Sequence, residues 1–358
     1  MDVNLEELRG QIDKVDREIV DRLNERVRLA AEIGRLKHQA DEPLYVPARE
    51  EEVFEKLLEL SDGPLDEPPL RAIYREIISA SIALEKKMII GYLGPEATFT
   101  HQAAIKNFGS SLNYKPLHTI GEVFEEVERG DCDYGVVPIE NSTEGAVFHS
   151  LDMLVETDLT VIAQIYLPIR HCLISQHELN DIESVLSKDQ ALGQCREWLR
   201  RNLAHAQLVP VASTSSAVER AKQDTKTAAI AGHLAAELHG LPVLVEDIQD
   251  KKENVTRFLV IGPKASARRE KTNYKTSVVL SVKDRVGALQ EALEPFSDRK
   301  LNLSKIESRP SRRKAWDYYF FVDVLGHHED DLVSEALGEL EENCPFVKCL
   351  GSYPVTET

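Results

Sequence analysis

The spacing of apolar residues predicts that the first region of the chain, up to about residue 87, is entirely helical. Apolar positions recur every three or four residues from Leu5 to Val27, as on one face of a long helix. Beyond proline-containing breaks, the pattern predicts a second helix over 48–60 and a third over 70–86. Three helices with one very long member form a poor monomeric core, so we expect a dimer with interlocked long helices.

From residue 88 the pattern changes to short apolar runs that alternate with amphipathic segments, which is typical of an α/β domain. Strands are predicted over 88–94, 134–139, 159–167, 170–174, 184–187, 208–211, 228–231 and 256–262. Helices are predicted over 100–108, 191–203, 215–223 and 233–239. Residues 263–272 are rich in Lys, Arg and Ser and are predicted to form a linker.

The last region has a strand–helix–strand–strand–helix–strand order, which predicts a ferredoxin-like α+β sandwich. Its predicted elements are strands over 275–283, 301–308, 316–325 and 346–351 and helices over 287–297 and 330–342. The expected fold is therefore multidomain, with an all-α domain at 1–87, an α/β domain at 88–265 and a ferredoxin-like domain at 272–358.

Composition and charge argue against several classes of protein. The 358 residues are 42% hydrophobic and 29% charged, as in a soluble globular protein, and the N-terminal sequence lacks a secretory signal pattern. No apolar run approaches the roughly 20 residues that cross a bilayer. Five scattered cysteines without paired or metal-ligand spacing indicate a reducing cytoplasm. The net charge of −18 argues against nucleic-acid or anionic-membrane binding, so an anionic ligand needs a local basic pocket.

Two cations of the first helix lie on its apolar stripe. Arg26 is on that stripe, and Lys37, eleven residues later, returns to within about 20° of the same face. Such cations bind an anion, are paired, or extend past the core to water, and the sequence leaves these alternatives open. Ser81 and Glu85, one turn apart on the third helix, can present a hydroxyl and a carboxyl to the same pocket. Arg9 is roughly 100° round from Arg26, so it is poorly placed to reach this pocket within one subunit but could reach the partner's pocket in a dimer.

This pattern resembles the helical chorismate mutase family, in which corresponding residues bind chorismate. The matching positions are Arg9, Arg26, Lys37, Arg49, Glu50, Ser81 and Glu85. The resemblance implies a pericyclic rearrangement of chorismate to prephenate without metal or cofactor. Arginines would hold the dicarboxylate in its reactive shape, and Lys37 and Glu85 would act at the ether oxygen as its bond breaks.

Two positions depart from the chorismate mutase pattern. Val46 stands where many members have Asp, so no role is expected there. Glu85 stands where some members have Gln. A glutamate must be protonated to donate to the ether oxygen, and the sequence therefore predicts a raised pKa for Glu85.

In the α/β region, an apolar run that ends at Ile139 is followed by a polar cluster from Glu140 to Gly145. A buried strand that ends in polar residues is a common way to build a site at a sheet edge, although a plain turn has the same composition. The cluster has no metal-ligand set, and the chain has no GxGxxG or Walker sequence. Three further segments, at 91–104, 187–195 and 254–258, have similar character.

Together these segments resemble prephenate dehydratases across about residues 88–263, most specifically in Thr256-Arg257-Phe258 and the Pro-Ile-Glu-Asn-Ser run at 138–142. The resemblance implies two α/β lobes, as in periplasmic binding proteins, and cofactor-free loss of water and CO2 from prephenate. Thr256 would assist the leaving hydroxide. The residues that would orient prephenate are Asn141, Ser187 and Gln194.

Two other residues of this region, Arg257 and Glu140, carry charge. Arg257 would stabilise the cleft or bind a carboxylate of prephenate. Glu140 must be paired or protonated to lie near a dianion. The sequence departs from the family at Ala97, where glycine is usual, and at Lys188-Asp189, where His-Pro is common.

The last region resembles ACT domains, which implies phenylalanine as an effector. Gly287-Ala288-Leu289 opens a helix, and Glu307-Ser308 lies in a strand-terminal Glu-Ser-Arg-Pro sequence. These residues would bind phenylalanine, with the two segments meeting across a dimer interface. A plain helix cap and strand end is the alternative.

Taken together, the chain resembles bifunctional chorismate mutase–prephenate dehydratases of phenylalanine biosynthesis in domain order. One rival is a non-catalytic amino-acid or anion sensor, which leaves the N-terminal cations unexplained. The other is a mutase with a decayed dehydratase domain, against which the intact Thr256-Arg257-Phe258 and Asn141 speak.

Overall fold

The computed structural model describes residues 4–40, 42–265, 268–270, 272–311 and 318–356. The chain divides into two compact units. One contains residues 1–88 and 108–113, and the other contains residues 89–107 and 114–358. Within the described ranges, no helix is both long enough and apolar enough to cross a membrane.

The first unit contains the three predicted helices, α1 (Leu5–Gln39), α2 (Pro47–Leu60) and α3 (Glu67–Glu85). Prolines in the first turns of α2 and α3 suit a position where the backbone N–H has no helical partner. Helix α1 continues through Gly34 without a break. Much of its apolar face is exposed, at Leu5, Leu8, Ile12, Val15, Ile19, Leu29, Ile33 and Leu36.

Ion pairs and one aromatic ring hold α2 against α3. Arg71 makes two hydrogen bonds to the Glu51 carboxylate, of 2.5 and 3.1 Å, and Arg75 pairs with Glu50. Both guanidinium carbons lie 4.9 Å from the ring centre of buried Phe54. Glu50 and Glu51 near the start of α2 therefore fix which face of α3, the one that carries Arg71 and Arg75, packs against α2.

The second unit begins with an α/β lobe that holds a mixed sheet in the order β2-β1-β3-β11-β5, with β4 paired to β3. Strands β1 and β3 are parallel, whereas β11 is antiparallel to both β3 and β5. The elements of this lobe are β1 (Ile89–Leu93), α4 (Phe99–Phe108), β2 (Asn113–Leu117), α5 (Ile120–Glu128), β3 (Tyr134–Asn141), β4 (Gly145–Ala146), α6 (Phe148–Glu156), β5 (Thr160–Pro168) and β11 (Val255–Gly262).

The second lobe is inserted between β5 and β11 and contains a sheet in the order β10-β6-β9-β7-β8. Its elements are β6 (Cys172–Ile174), a 3-10 helix (Leu179–Asp181), β7 (Ser184–Ser187), α7 (Asp189–Gln194), α8 (Arg196–Asn202), β8 (Gln207–Pro210), α9 (Thr214–Gln223), β9 (Thr227–Ala231), α10 (His233–His239) and β10 (Val243–Val245). The chain thus forms the two expected lobes, and it crosses between them twice, after β5 and before β11.

The C-terminal domain has a four-stranded antiparallel sheet in the order β13-β14-β12-β15. Its elements are β12 (Tyr274–Ser281), α11 (Ala288–Asp298), β13 (Leu303–Pro310), β14 (Tyr318–Leu325), α12 (Asp331–Asn343) and β15 (Phe346–Pro354). This is the predicted ferredoxin-like fold, and the all-α, two-lobed α/β and ferredoxin-like assignments are confirmed. Residue 316, where a strand was predicted to begin, lies outside the described residues.

One face of the ferredoxin-like sheet packs on the first α/β lobe. A shared apolar core includes Val279 and Phe321 from the former and Leu151 and Leu259 from the latter. The opposite face packs on α11 and α12 through a separate core. The sheet is therefore buried on both sides, and its contact with the α/β lobe is continuous with that lobe's core.

The prediction of one helix over 191–203 was wrong. The segment forms α7 and α8, which are separated at buried Cys195. The Asp250 carboxylate accepts hydrogen bonds from the backbone N–H groups of Glu197, at 2.9 Å, and Trp198, at 3.1 Å. A distant acidic residue thus caps a second helix start within the predicted helix. Sequence analysis also missed β2, β4, β10, α5 and α6.

Candidate active sites

In the helical unit, α1 and α3 bring a cation and a hydroxyl together. Arg26 Nη1 donates to Ser81 Oγ at 3.1 Å, and Ser81 donates in turn to the Ile77 carbonyl at 2.8 Å. Ser81 is buried, whereas Arg26 is half-buried. The guanidinium on the apolar stripe is therefore directed towards α3, and its remaining donors are available to an anion.

Lys37 and Glu85 form the other part of this cluster. Lys37 Nζ lies 3.3 Å from the carbonyl oxygens of both Pro43 and Leu44. The Glu85 side chain lies against Gly34 of α1, so closely that a Cβ at residue 34 would be 2.6 Å from Glu85 Cδ. Burial raises the pKa of Glu85, and the positive charge of Lys37 offsets only part of that shift. The direction is the one that a protonated donor requires.

The other predicted chorismate residues are more dispersed. Arg49 is exposed and pairs with Glu52 at 2.7 Å, whereas Glu50 pairs with Arg75. Arg9 is exposed near the start of α1. Sequence reasoning missed Arg75, although its position one turn after Arg71 on α3 suited it to an acidic pair on α2.

In the α/β lobe, the ends of β3 and β11 place Asn141 opposite Thr256. Asn141 Nδ2 donates to Thr256 Oγ1 at 2.8 Å and to Asn254 Oδ1 at 2.7 Å. Asn141 Oδ1 accepts from the backbone N–H groups of Thr143, at 2.9 Å, and Glu144, at 3.1 Å. These two backbone donors fix the amide orientation, so Thr256 Oγ1 acts as an acceptor towards Asn141 and keeps its own proton for another partner.

Gln194 links the two lobes through two hydrogen bonds. Its Nε2 donates to Glu144 Oε1 at 2.8 Å, and its Oε1 lies 2.8 Å from His171 Nε2. Burial lowers the pKa of His171, which favours a neutral ring that donates from Nε2. The His171 ring also meets Phe99 edge to face, at 5.4 Å between centres. A connected set of residues thus runs from Thr256 through Asn141 and the backbone N–H of Glu144 to Gln194 in the second lobe.

Three further residues of this region, Ser187, His171 and Ala97, differ in how well the sequence identified them. Ser187, at the end of β7, is buried and donates to the Ile230 carbonyl at 2.6 Å. His171 was missed, because one histidine at a strand start has no distinguishing sequence pattern. Ala97 has φ of +63°, a left-handed conformation that explains why glycine suits this position.

Arg257 and Glu140 point away from Thr256, because side chains alternate along a strand. Arg257 Nη1 donates to Glu140 Oε1 at 3.0 Å and to Asp323 Oδ2 at 2.7 Å. Glu140 also pairs with Lys305. Burial opposes ionisation of Glu140, but its contacts with Lys305 and Arg257 outweigh burial and lower its pKa. Of the two roles predicted for Arg257, these contacts favour stabilisation over carboxylate binding.

The predicted phenylalanine residues lie at two places in the ferredoxin-like domain. Gly287 has φ of +85° and precedes α11, which begins at Ala288, with half-buried Leu289 following. On β13, Glu307 is half-buried and Ser308 is exposed. The left-handed conformation gives a physical reason for glycine at the start of this helix.

Three family models match consecutive regions of the chain. They are chorismate mutase type II over residues 8–86, prephenate dehydratase over 90–266 and the ACT domain over 276–342. The matches follow the three folds in order. The fold and the two side-chain clusters define a multidomain enzyme with an all-α and an α/β catalytic domain.

Curated bifunctional enzymes match nearly the full length of the chain. The bifunctional chorismate mutase/prephenate dehydratase of Aquifex aeolicus is 48% identical over 355 residues, 98% of each chain. That of Stutzerimonas stutzeri is 42% identical over 357 residues, which are 98% of this chain and 97% of that protein. The crystal structure of Arthrobacter aurescens prephenate dehydratase in complex with L-Phe has a TM-score of 0.70 at 34% identity, and covers 76% of this chain and 93% of that one.

The chain belongs to the bifunctional chorismate mutase/prephenate dehydratase family. The resemblance that the sequence suggested is therefore confirmed, and the protein is an enzyme with mutase and dehydratase domains. The interpretation as a non-catalytic sensor is set aside.

The contact between Gly34 and Glu85 generates a prediction about the helical site. In Gly34→Ala, the new methyl group must displace the flexible Glu85 carboxylate. We expect the mutase kcat to fall by roughly tenfold, since Glu85 would lose the alignment that action at the ether oxygen requires. The unfolding midpoint should not fall, because alanine gains about 1 kcal/mol over glycine inside a helix. Steady-state kinetics and thermal unfolding measure both effects.

Gly338→Ala is the matched control, because a Cβ at residue 338 of α12 meets no atom within 4 Å. We expect this variant to keep full mutase activity. If Gly34→Ala had wild-type mutase kinetics, the placement of the Glu85 carboxyl group against residue 34 would have no role in catalysis.

Proposed function

We propose that the helical unit converts chorismate to prephenate at Arg26, Lys37, Ser81 and Glu85. Arg26 and Lys37 bind the two carboxylates or the ether oxygen of the folded substrate, and Glu85 donates a proton to that oxygen in a hydrogen bond. The raised pKa of Glu85 supports this assignment. Glu50, whose carboxyl interacts with the charge of Lys37, borders the same site, and Arg49 is assigned to it from the family resemblance.

Arg9 in this proposal comes from a partner subunit. The exposed apolar face of α1 supports an interlocked homodimer, since a face of this length is seldom left in water. All five cysteines are free thiols, which supports a reducing, cytoplasmic location.

For the dehydratase, we propose that Thr256 assists the departure of hydroxide from prephenate. The observation that carries this proposal is the 2.8 Å hydrogen bond from Asn141 Nδ2 to Thr256 Oγ1. Because the amide donates, the threonine proton is directed elsewhere and is available to the leaving group. Asn141 therefore orients the acid as well as the substrate.

The chemistry balances without a redox partner. The bond between the ring and one carboxylate breaks to release CO2, and its electron pair enters the ring. The ring hydroxyl leaves and, with a proton delivered through Thr256, becomes water. Aromatisation supplies the driving force, so the main demand on the protein is stabilisation of the leaving hydroxide.

Other residues hold the substrate and connect the domains in this proposal. Gln194 and Ser187 orient prephenate from the second lobe, Ser187 through the strand end that its buried hydroxyl fixes to Ile230, and Arg257 stabilises the cleft from the opposite face of the sheet. The proposed domain boundaries are 1–87 for the mutase, 88–265 for the dehydratase and 272–358 for the ACT domain.

We further propose that phenylalanine inhibits the dehydratase by binding the ACT domain. The left-handed Gly287 before α11, together with Ala288 and Leu289, provides backbone groups for the amino acid. Glu307 and Ser308 complete the site across a dimer contact. The L-Phe complex of the Arthrobacter aurescens prephenate dehydratase supports this effector.

Purified protein supplied with chorismate tests the proposed function when prephenate and phenylpyruvate are both followed over time. Thr256→Ala should still form prephenate while phenylpyruvate formation falls by about 100-fold or more, since a positioned acid contributes that much. Lys37→Ala should block prephenate formation and still convert added prephenate. Phenylalanine should reduce phenylpyruvate formation in the wild-type protein.

The matched controls are Thr225→Ala and Lys56→Ala, which make the same changes at exposed positions and should leave both activities intact. Wild-type dehydration by Thr256→Ala would show that the acid is assigned wrongly. If phenylalanine did not change the rate of phenylpyruvate formation, the proposed feedback inhibition would be wrong.

The raised pKa of Glu85 predicts how the mutase depends on pH. An exposed glutamate loses its proton near about pH 4.3, whereas Glu85 keeps its proton to higher pH. Mutase kcat/KM should fall as pH rises through this raised pKa, because the donating form is lost. Glu85→Gln keeps a donor at all pH values and should flatten the profile. Glu55→Gln, an exposed change on α2, should retain it; an unaltered profile in Glu85→Gln removes Glu85 from the mechanism.

The amide orientation at Asn141 predicts the effect of an isosteric charge change. In Asn141→Asp, a carboxylate oxygen replaces the donor and accepts the Thr256 proton that the leaving group needs. We expect the dehydratase kcat to fall by about 100-fold, with mutase activity unchanged. Asn202→Asp, the same change at an exposed position, should leave dehydration unchanged. Dehydration at the wild-type rate in Asn141→Asp would contradict the proposed proton direction.

A further inference from the structure

We propose that Glu144 is a positioning residue for dehydration, because its carboxylate fixes the amide of Gln194 so that one amide proton is left for prephenate. The inference rests on the proposed role of Gln194 in orienting prephenate. Glu144 belongs to the polar cluster that follows β3, and the sequence pattern assigned it no role of its own.

The side chain of Gln194 is hydrogen-bonded at both ends of its amide. Nε2 donates to Glu144 Oε1 at 2.8 Å, and Oε1 lies 2.8 Å from His171 Nε2. His171 does not decide by itself which end of the amide it meets, because a neutral imidazole nitrogen either donates or accepts. An ionised carboxylate only accepts, so Glu144 decides that the amide nitrogen faces the first lobe. It follows that His171 donates from Nε2.

This orientation determines what Gln194 offers to a ligand. The amide nitrogen carries two protons, of which Glu144 accepts one, and the amide oxygen accepts from His171. The second Nε2 proton is a donor that suits an oxygen of dianionic prephenate. A flipped amide would place its oxygen against the Glu144 carboxylate, where neither group can donate. The contact with Glu144 therefore keeps a donor on Gln194.

The backbone of Glu144 is fixed by the strand end that carries Asn141. Its N–H donates to Asn141 Oδ1 at 3.1 Å, and the next residue, Gly145, pairs with Asn141 in the ladder between β3 and β4. The N–H of Ser142 donates to the Val255 carbonyl of β11 at 2.9 Å. The side chain of Glu144 is exposed, but its backbone keeps it within reach of Gln194.

The other end of the Gln194 amide meets a ring that is fixed in place. His171 is 2% exposed, and its backbone N–H donates to Gln249 Oε1 at 2.8 Å. The ring contacts Phe99 edge to face, at 5.4 Å between centres. The Gln194 carbonyl accepts from the N–H of Asp250 at 2.7 Å. Gln194 is thus held between two anchored residues, and Glu144 sets the orientation of its amide.

The charge of Glu144 and its positioning role affect prephenate binding in opposite directions. A carboxylate beside a dianionic substrate repels it, so loss of the charge alone lowers the KM for prephenate. Loss of an oriented hydrogen-bond donor raises that KM. The sign of the change in KM therefore distinguishes positioning from repulsion.

Glu144→Ala in the full chain tests the positioning role. We expect the KM for prephenate to rise roughly tenfold, since a hydrogen bond to a charged group contributes at least that much. The dehydratase kcat should change by less than about threefold, because the contact between Asn141 and Thr256 remains. Thermal unfolding and mutase activity check that each variant is folded.

Two single variants accompany this test. Glu144→Gln restores an acceptor oxygen without the charge, so its KM should lie below that of Glu144→Ala. Glu125→Ala removes the same charge from an exposed position of α5 in the same lobe, and it should leave KM and kcat unchanged.

A double variant shows whether Glu144 acts through Gln194. Gln194→Ala should raise the KM for prephenate by itself, because it removes the donor. Glu144→Ala should then change the KM of Gln194→Ala by less than about twofold, since residues that act through one contact are not additive.

The possible results separate this inference from the proposed function. If Gln194→Ala raises KM while Glu144→Ala leaves KM unchanged or lowers it, the positioning role is overturned and the role of Gln194 stands. Equal KM values in Glu144→Ala and Glu144→Gln, or a fully multiplicative rise in the double variant, also overturn the positioning role. A wild-type KM in Gln194→Ala overturns the proposed role of Gln194 and this inference together.

Discussion

The buried contact between Arg257 and Asp323 is the interaction on which the organisation of the second unit depends. It joins the strand that carries Thr256 to a sheet from a different domain, at a point where a bulge interrupts the strand ladder. A guanidinium that is 4% exposed tolerates few arrangements, because removing any acceptor leaves a charge without water. Together with the shared apolar core, this ionic contact fixes how the ferredoxin-like sheet meets the α/β lobe.

Strand β13 extends this connection towards the proposed effector site. Lys305 and Arg309 bind Glu140 and Asp152 of the α/β lobe, and Glu307 lies between them on the same face of the strand. A residue proposed for phenylalanine binding is therefore two positions from each domain-to-domain ion pair. Regulation by an end product requires two sites that bias a common element, and β13 is physically suited to that role.

The helical unit also depends on charged side chains in partly buried positions. A chain with net charge −18 concentrates cations on the apolar stripe of α1, where Arg26 is directed to Ser81 and Lys37 lies near Glu85. Burial raises the pKa of that carboxyl while Gly34 makes room for it. The exposed apolar face of α1 is a surface on which a second copy can pack.

The sequence by itself determined the order of domains, most helices and strands, and the residues of the Asn141–Thr256 pair, because periodicity and short motifs depend on neighbouring residues. Only the tertiary structure decided the partners. Glu140 pairs with Lys305, and Arg257 turns its side chain away from Thr256. Asp250 caps α8, the second of two helices where one was predicted. These contacts join segments far apart in the chain. Strand pairing, bulges and the packing of one sheet on another select them, and none of these leaves a local pattern in the sequence.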